Sequence, residues 1–235
     1  MCRISALNKT AAVLICLFSI YLCLMGDRLK IPKPTARRLS LYLRELEALK
    51  ETNLISVNSG QLGKALGLTG AQVRKDFATF GTFGRPGVGY IIEPLCEQLR
   101  QIMGTDRTWD VAVVGAGKIG QAISGYPRFI DRGFNVVAVF DNNPNIIGSE
   151  VANHTVRPVA DMTRIIPLRN IKLAILSVPV DVSQELADRL VASGITGILN
   201  FAPVRLQVPE GVGVSSVDFS RSLEQLAFET SINFS

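Results

Sequence analysis

The chain has 235 residues, of which 47% are apolar, with one histidine, four cysteines and a net charge of +5 at neutral pH. That length holds one large domain or two small ones, and the apolar share is ample for a core. Cys2, Cys16 and Cys23 lie in the first 24 residues and Cys96 stands alone in the body, which excludes an internal disulfide framework and fits a reducing cytoplasm.

Positive charge is not spread evenly. Residues 25–95 carry 11 Lys and Arg against 6 Asp and Glu, whereas residues 96–235 carry 12 against 14. The excess in the N-terminal part points to an anionic partner there. Residues 1–24 look foreign to the rest. Arg3 and Lys9 precede an apolar run over residues 11–25, broken only by Ser19. The run has the shape of a signal peptide or short anchor, yet it falls short of the ~20 residues of a comfortable span. No small-x-small cleavage site closes it. The expectation is a non-native extension translated from an upstream start, with Met25 as the natural start. A genuine anchor or a remnant signal are the alternatives. For the body of the chain no membrane association is expected.

Residues 26–34 form a basic arm in which Arg28, Lys30 and Lys33 flank Pro32 and Pro34; Lys33 is counted among the DNA-binding candidates. Thr35 is the expected N-cap of a helix running to about Thr52. Its apolar face is built from Leu39, Tyr42, Leu43, Leu46 and Leu49 at spacings of three and four, with Arg37, Arg38 and Arg44 mostly away from it. Ser59 caps a second helix over residues 60–66, GLTG at 67–70 is a tight turn, and Thr69 caps a third helix over residues 71–79. Two short helices about a glycine-containing turn predict a helix-turn-helix. The DNA-binding region expected around it begins at Tyr42 and ends at Gly81. Its core would be Leu62, Ala65, Leu66, Val73 and Phe77. Gln72, Arg74 and Lys75 would be exposed near the start of the recognition helix, where base contacts arise. The glycines of GTFGRPGVGYII, residues 81–92, predict a hairpin wing with Arg85 at its tip as a backbone contact. Residues 93–103 read as a linker helix.

The second half is organised around DVAVVGAGKIG, residues 110–120. A β-rich run at residues 111–114 leads into Gly115, Gly117 and Gly120 at GxGxxG spacing, with helix-compatible residues after it. This strand, turn and helix context predicts a dinucleotide-binding Rossmann unit. Gly115 permits the tight turn, Gly117 leaves room for a pyrophosphate, and Gly120 lets the helix pack close to the sheet. Ala116, Lys118 and Ile119 complete the loop, whose helix N-terminus offers free N–H groups to phosphate. A second strand at residues 135–140 ends in Asp141, 21 residues after Gly120. A carboxylate there takes ribose hydroxyls and repels a 2′-phosphate, which favours NAD(H) over NADP(H). Another nucleotide, such as coenzyme A, is the alternative occupant.

Further elements follow: a short helix at 161–166, a buried strand at 171–178, a helix at 182–193, strands at 197–201 and 212–217, and a terminal helix at 220–231. His154 lies in a polar stretch and reads as an exposed loop or strand residue. In doubly wound sheets ligands bind at the carboxyl ends of the strands. Gly115, Asp141, Ser177, Val178, Pro179 and the segment from Asn200 and Phe201 to Pro203 are such ends and should line one crevice.

The stretches QVRKDFATFGTFGRPGVGY, GAGKIG, YPRF, SVP, GILNFAP and VDF, in this order, resemble the Rex family of redox-sensing transcriptional repressors. The resemblance covers roughly residues 29–228; residues 1–24 have no counterpart in it. It implies an α/β chain in which a winged helix-turn-helix domain precedes a Rossmann-like parallel sheet domain and a C-terminal helix exchanged between subunits. The domain limits expected are 25–95, 96–217 and 218–235. It further implies a homodimer on palindromic double-stranded DNA, with NADH releasing the operator. Phe219 would reach the nicotinamide side of the partner's pocket. Arg44, Tyr126 and Asp218 match a polar switch in which Asp218 pairs with Arg44 in one state and with Tyr126 in the other.

An NAD-dependent dehydrogenase is the runner-up function. It needs an acid, base or nucleophile beside the nicotinamide, and neither His154 nor Cys96 is placed for that; no metal-ligand set is expected either. A coenzyme A or nucleotide-binding module with an interaction domain is the third reading.

Overall fold

The computed structural model describes residues 33–81, 83–84 and 87–233. The expected extension at 1–24, the arm up to Pro32 and Arg85 at the wing tip lie outside them. The chain divides into two compact units between Met103 and Gly104.

In the first unit, helix α1 (Lys33–Glu51) presents Leu39, Tyr42, Leu43 and Leu46 to the core, as the three-and-four spacing requires. It starts two residues before the expected cap. Pro34 suits a first turn because it lacks an N–H that would go unused there, and Thr35 is buried with its hydroxyl turned to Asp76. Strand β1 (Ser56–Val57) precedes helix α2 (Ser59–Ala65), which is capped by Asn58 and not by Ser59. Gln61 explains the difference: Asn58 accepts from the Gln61 N–H while the Gln61 side chain accepts from the Asn58 N–H, both at 2.9 Å, a reciprocal box that Ser59 has no partner to form. Helix α3 (Gly70–Ala78) follows, capped by Thr69 as expected, one residue earlier than read. Leu62, Val73 and Phe77 are core. Ala65 is exposed and Leu66 only half-buried; Gly63 takes the inner position, where a Cβ would stand 2.7 Å from the Leu68 carbonyl.

Helix α3 stops at Ala78, and Thr79, its expected last residue, forms its C-cap. Phe80 then turns into the core, and Gly81 is exposed at φ +127, a backbone conformation that no helix contains. Gly81 therefore opens the glycine-rich loop.

Strand β2 (Tyr90–Ile91) pairs antiparallel with β1, joining the end of that loop to the stretch before the helix-turn-helix. Helix α4 (Ile92–Met103) is not a free linker. It buries Ile92, Leu95, Cys96 and Leu99 in the first core, each buried Leu adding about 1.5–3 kcal/mol. Ion pairs Lys50–Glu93 at 2.6 Å and Arg100–Glu47 at 2.8 Å bind it to α1. The division at 103/104 in place of 95/96 follows from that packing. Phe77 of α3 sits edge-on to Tyr42, Tyr90 and Phe83, with centroids 5.0 to 5.6 Å apart.

The second unit is a seven-stranded sheet in the order β5-β6-β4-β3-β7-β8-β9. Its strands are β3 (Trp109–Val114), β4 (Phe134–Asp141), β5 (Glu150–Val151), β6 (His154–Pro158), β7 (Leu173–Leu176), β8 (Gly197–Asn200) and β9 (Gly213–Ser216). All pair in parallel except the short edge strand β5. Without β5, the chain order is 3-2-1-4-5-6, with its reversal between β3 and β7. Helices α5 (Lys118–Ser124), α6 (Arg128–Asp131), α7 (Met162–Leu168) and α8 (Val180–Ala192) are the crossovers. Both sheet faces are buried: Val111 and Val113 of β3 join one core and Ala112 and Val114 the other, the mark of a parallel sheet covered on two sides.

Strands β5 and β6 were not read from the sequence. They are joined by Ala152 and Asn153, both at positive φ, and bury only Val151 and Val156, too short an alternation to signal a strand. His154 opens β6, at the end of the sheet opposite the crevice. Helix α9 (Phe219–Asn233) leaves Phe219, Leu223, Leu226, Phe228 and Ile232 exposed by 57–66%.

Candidate nucleotide crevice and nucleic-acid interface

The glycine turn after β3 is fixed from three sides. Gly115 has φ +96, which disfavours a side chain, and a Cβ there would run into the Ser177 carbonyl. Its N–H donates to the Phe140 carbonyl at 2.8 Å. A Cβ on Gly120 would collide with the Gly115 carbonyl and lie 2.9 Å from Ser177 Oγ, so α5 packs against the turn only with glycine there. Nothing lies within 4 Å of a Cβ on Gly117, which leaves the open approach that a pyrophosphate needs. Lys118 and Ile119 are exposed beside it.

Asp141 is the hinge of the site. Its Oδ2 accepts the Ala116 N–H at 2.6 Å and its Oδ1 the Asn143 N–H at 2.8 Å. The acid at the end of β4 thus holds the turn at the end of β3. Each carboxylate oxygen keeps further lone pairs for ribose hydroxyls. Next to it opens a cavity of about 330 Å³, lined among others by Pro158, Val159, Ala160, Val182, Glu185, Leu186 and Arg189. Arg189 donates to the Val159 carbonyl at 3.3 Å. These residues were missed from the sequence, because neither the stretch after β6 nor Val182, Glu185, Leu186 and Arg189 of α8 carries a motif.

Two expected crevice residues turn inward. Asn200 is fully buried, and its amide is spent on Ala202 and Val204 at 2.9–3.0 Å. It shapes the turn after β8. Ser177 Oγ donates to the Gly115 carbonyl at 2.9 Å and the Val114 carbonyl at 3.2 Å, stitching β7 to β3. Val178 is half-buried and Pro179 exposed. The Phe201 and Phe219 rings lie 6.1 Å apart. Asp218 Oδ1 accepts the Arg221 N–H at 3.1 Å, capping α9, and Tyr126 is half-exposed against Phe129.

In the first unit Arg74, Lys75 and Arg44 are exposed, and Arg74 donates to Ser59 Oγ on α2 at 2.8 Å. Only the backbone of Lys33 is described. Gln72 is half-buried and, against expectation, not free: its Nε2 donates to Asp76 Oδ1 at 2.9 Å. Asp76, which no sequence motif marks, is 2% exposed. Arg38 grips both its oxygens at 2.6 and 2.8 Å, Tyr42 donates at 2.7 Å, and Thr35 lies at 3.5 Å. Arg38 therefore belongs to this cluster and not to a solvated face. Burial pushes the Asp76 carboxyl up, and hydrogen bonds from Arg38, Tyr42 and Gln72 outweigh it, holding it below the usual carboxylate range. The hydrogen bond to Asp76 raises Arg38, while burial and then Asp76 raise Tyr42. The signal for this cluster was present as two i,i+4 pairs, Arg38 with Tyr42 and Gln72 with Asp76.

Residues 30–78 match the family described as "Putative DNA-binding protein N-terminus" and residues 106–204 the one described as "CoA binding domain". The redox-sensing transcriptional repressor Rex of Carboxydothermus hydrogenoformans is 43% identical over 85% of this chain and 96% of its own length. The chain belongs to the Rex family of redox-sensing transcriptional repressors. Rex relatives are regulators carrying a dinucleotide-binding domain, not enzymes. Among solved structures, RSP, a Rex-family repressor, in complex with β-NAD+ and operator DNA has a TM-score of 0.83 at 36% identity, covering 86% of this chain and 94% of that one. RSP in complex with β-NADH has 0.79 at 35%, covering 87% and 96%. No helix among the described residues is long and apolar enough to cross a membrane.

Proposed function

We propose that this Rex-family chain represses transcription by gripping operator DNA through α3, and that NADH held in the crevice releases it. One observation carries the reading. A glycine turn bonded to Asp141, at the switch point of a 3-2-1-4-5-6 sheet, shares one chain with a helix-turn-helix bearing exposed Arg74 and Lys75. The relative RSP adds support, having been crystallised with β-NAD+ and operator DNA and also with β-NADH.

Gly115, Ala116, Gly117 and Lys118 would cradle the pyrophosphate and Asp141 the adenosine ribose. The cavity beside Asp141 suits the adenine, and Val178, Pro179, Phe201 and Phe219 suit the nicotinamide. What the cofactor supplies is a ring whose positive charge vanishes on reduction. Apolar neighbours such as Phe201 and Phe219 favour the neutral ring, because burying a charge is costly. A ligand shifts a conformational equilibrium only through differential affinity, and the coupling is reciprocal, so DNA and NADH antagonise each other.

The exposed apolar residues of α9 make a second copy of the chain the natural partner, with α9 exchanged between subunits on a palindromic site. Asp218 would then leave its cap for Arg44 or Tyr126 of the switch. Lys33 and Arg85 add backbone contacts to the DNA-binding head, and the assembly works in the cytoplasm. The coenzyme A reading, which the family description of residues 106–204 favours, sets a 3′-phosphate against the Asp141 carboxylate, a like-charge encounter.

The test is operator binding, followed by gel shift, against NADH, NAD+ and coenzyme A. NADH should lower affinity strongly and the other two little. Equal effects of NADH and NAD+ would overturn the reading.

A further inference from the structure

The Gln72 amide has one orientation. Its partner Asp76 is buried and ionised, so that carboxylate only accepts hydrogen bonds, and the carbonyl end of an amide cannot face it. The carboxylate cannot swing away, because the Arg38 fork holds both oxygens at 2.6 and 2.8 Å and Tyr42 donates at 2.7 Å. The Nε2 end of Gln72 is thus turned inward at 2.9 Å. Among the described residues nothing else bonds this amide, so Oε1 and the second N–H remain on its outer edge. Gln72 sits in the first turn of α3, where the Thr69 hydroxyl accepts its backbone N–H at 3.1 Å, and recognition helices meet base edges with their N-terminal residues.

An edge that carries one acceptor beside one donor matches adenine in the major groove, which offers a donor at N6 and an acceptor at N7. Guanine offers two acceptors there and would set oxygen against Oε1. A glutamine free to flip could adapt; one clamped by Asp76 cannot. We propose that Gln72 is a specificity-determining residue that reads an adenine in each operator half-site, and that Asp76, fixed by Arg38 and Tyr42, is the positioning residue that sets its amide. The proposal rests on α3 being the recognition helix.

The test is selection of bound duplexes from a randomised pool by the full chain, compared among the wild type, Gln72→Ala, Asp76→Asn and Lys75→Ala. Wild type should return one strongly preferred adenine per half-site that Gln72→Ala loses while the other positions persist, and affinity for the wild-type site should fall about ten-fold. Asp76→Asn, whose amide both donates and accepts, should weaken the same position and no other. Should Asp76→Asn fail to fold, Arg38→Lys, which keeps the charge but not the fork, replaces it with the same expectation. Unchanged site preference in Gln72→Ala overturns the adenine assignment. A folded Asp76→Asn or Arg38→Lys with intact preference overturns the positioning role. If Lys75→Ala lowers affinity on every sequence while Gln72→Ala selects as wild type does, only this proposal falls. If neither variant changes affinity or selection, the recognition-helix reading falls with it.

Discussion

Asp76 and Asp141 are two carboxylates with opposite arrangements. Asp76 is 2% exposed and saturated by side-chain donors from two helices. Asp141 is half-buried and accepts two backbone N–H groups from neighbouring loops. The first has no capacity left for a ligand, and its interactions fix the angle between α1 and α3. The second keeps lone pairs facing a cavity while it ties β4 to the glycine turn. A carboxylate saturated by protein donors specifies shape, whereas one anchored on a single side of each oxygen can both hold a loop and receive a ligand.

The contrast breaks most severely at Asp76. Asp76→Ala leaves the Arg38 guanidinium and the Tyr42 hydroxyl without their partner, and removal of one member of a buried ion pair costs about 3–5 kcal/mol. Denaturant unfolding of the first unit should show that loss, while NADH binding to folded protein stays as it was. A loss below about 1 kcal/mol would mean that water satisfies Arg38 as well as Asp76 does.

A smaller effect is expected at Asp141. Asp141→Ala should weaken NADH by about 1–3 kcal/mol, the worth of hydrogen bonds to a charged group, with little change in global stability because the site is open to water. Calorimetry showing equal affinities would remove the ribose assignment.

The finest test is pH. The Asp76 carboxyl is lowered in the folded state, so its stabilisation is full above the unfolded value of about 4 and is lost as pH falls through the lower folded value. The Tyr42 hydroxyl is raised, so its contribution is full below about pH 10 and lost only at higher pH. The stability of the first unit should therefore be flat with respect to this cluster between those limits. A step near neutrality that disappears in Asp76→Asn would contradict the pairing.

Much of the second unit was legible in the sequence. The strand, glycine turn and helix around Gly115, and Asp141 at the end of the next strand, are local patterns whose spacing follows from chain geometry. The short apolar, β-rich run at Val111 to Val114 sufficed to place β3. The edge pair β5 and β6 was not legible, because two-residue and five-residue strands with one buried side chain each leave no period to detect. Nor was the inward turn of Asn200 and Ser177, since a polar residue at a strand end reads the same whether it meets ligand or backbone.

By itself the sequence determined most helices and the central strands, the order of the two units, the dinucleotide turn and the basic head, all of which depend on residues close together in the chain. Only the tertiary structure decided that α4 belongs with α1, that a cavity opens beside Asp141, and that Asp76 gathers donors 34 to 41 residues away. Those outcomes follow from which helix faces come to lie together, and a buried charge finds its partners only when distant segments exclude water from it.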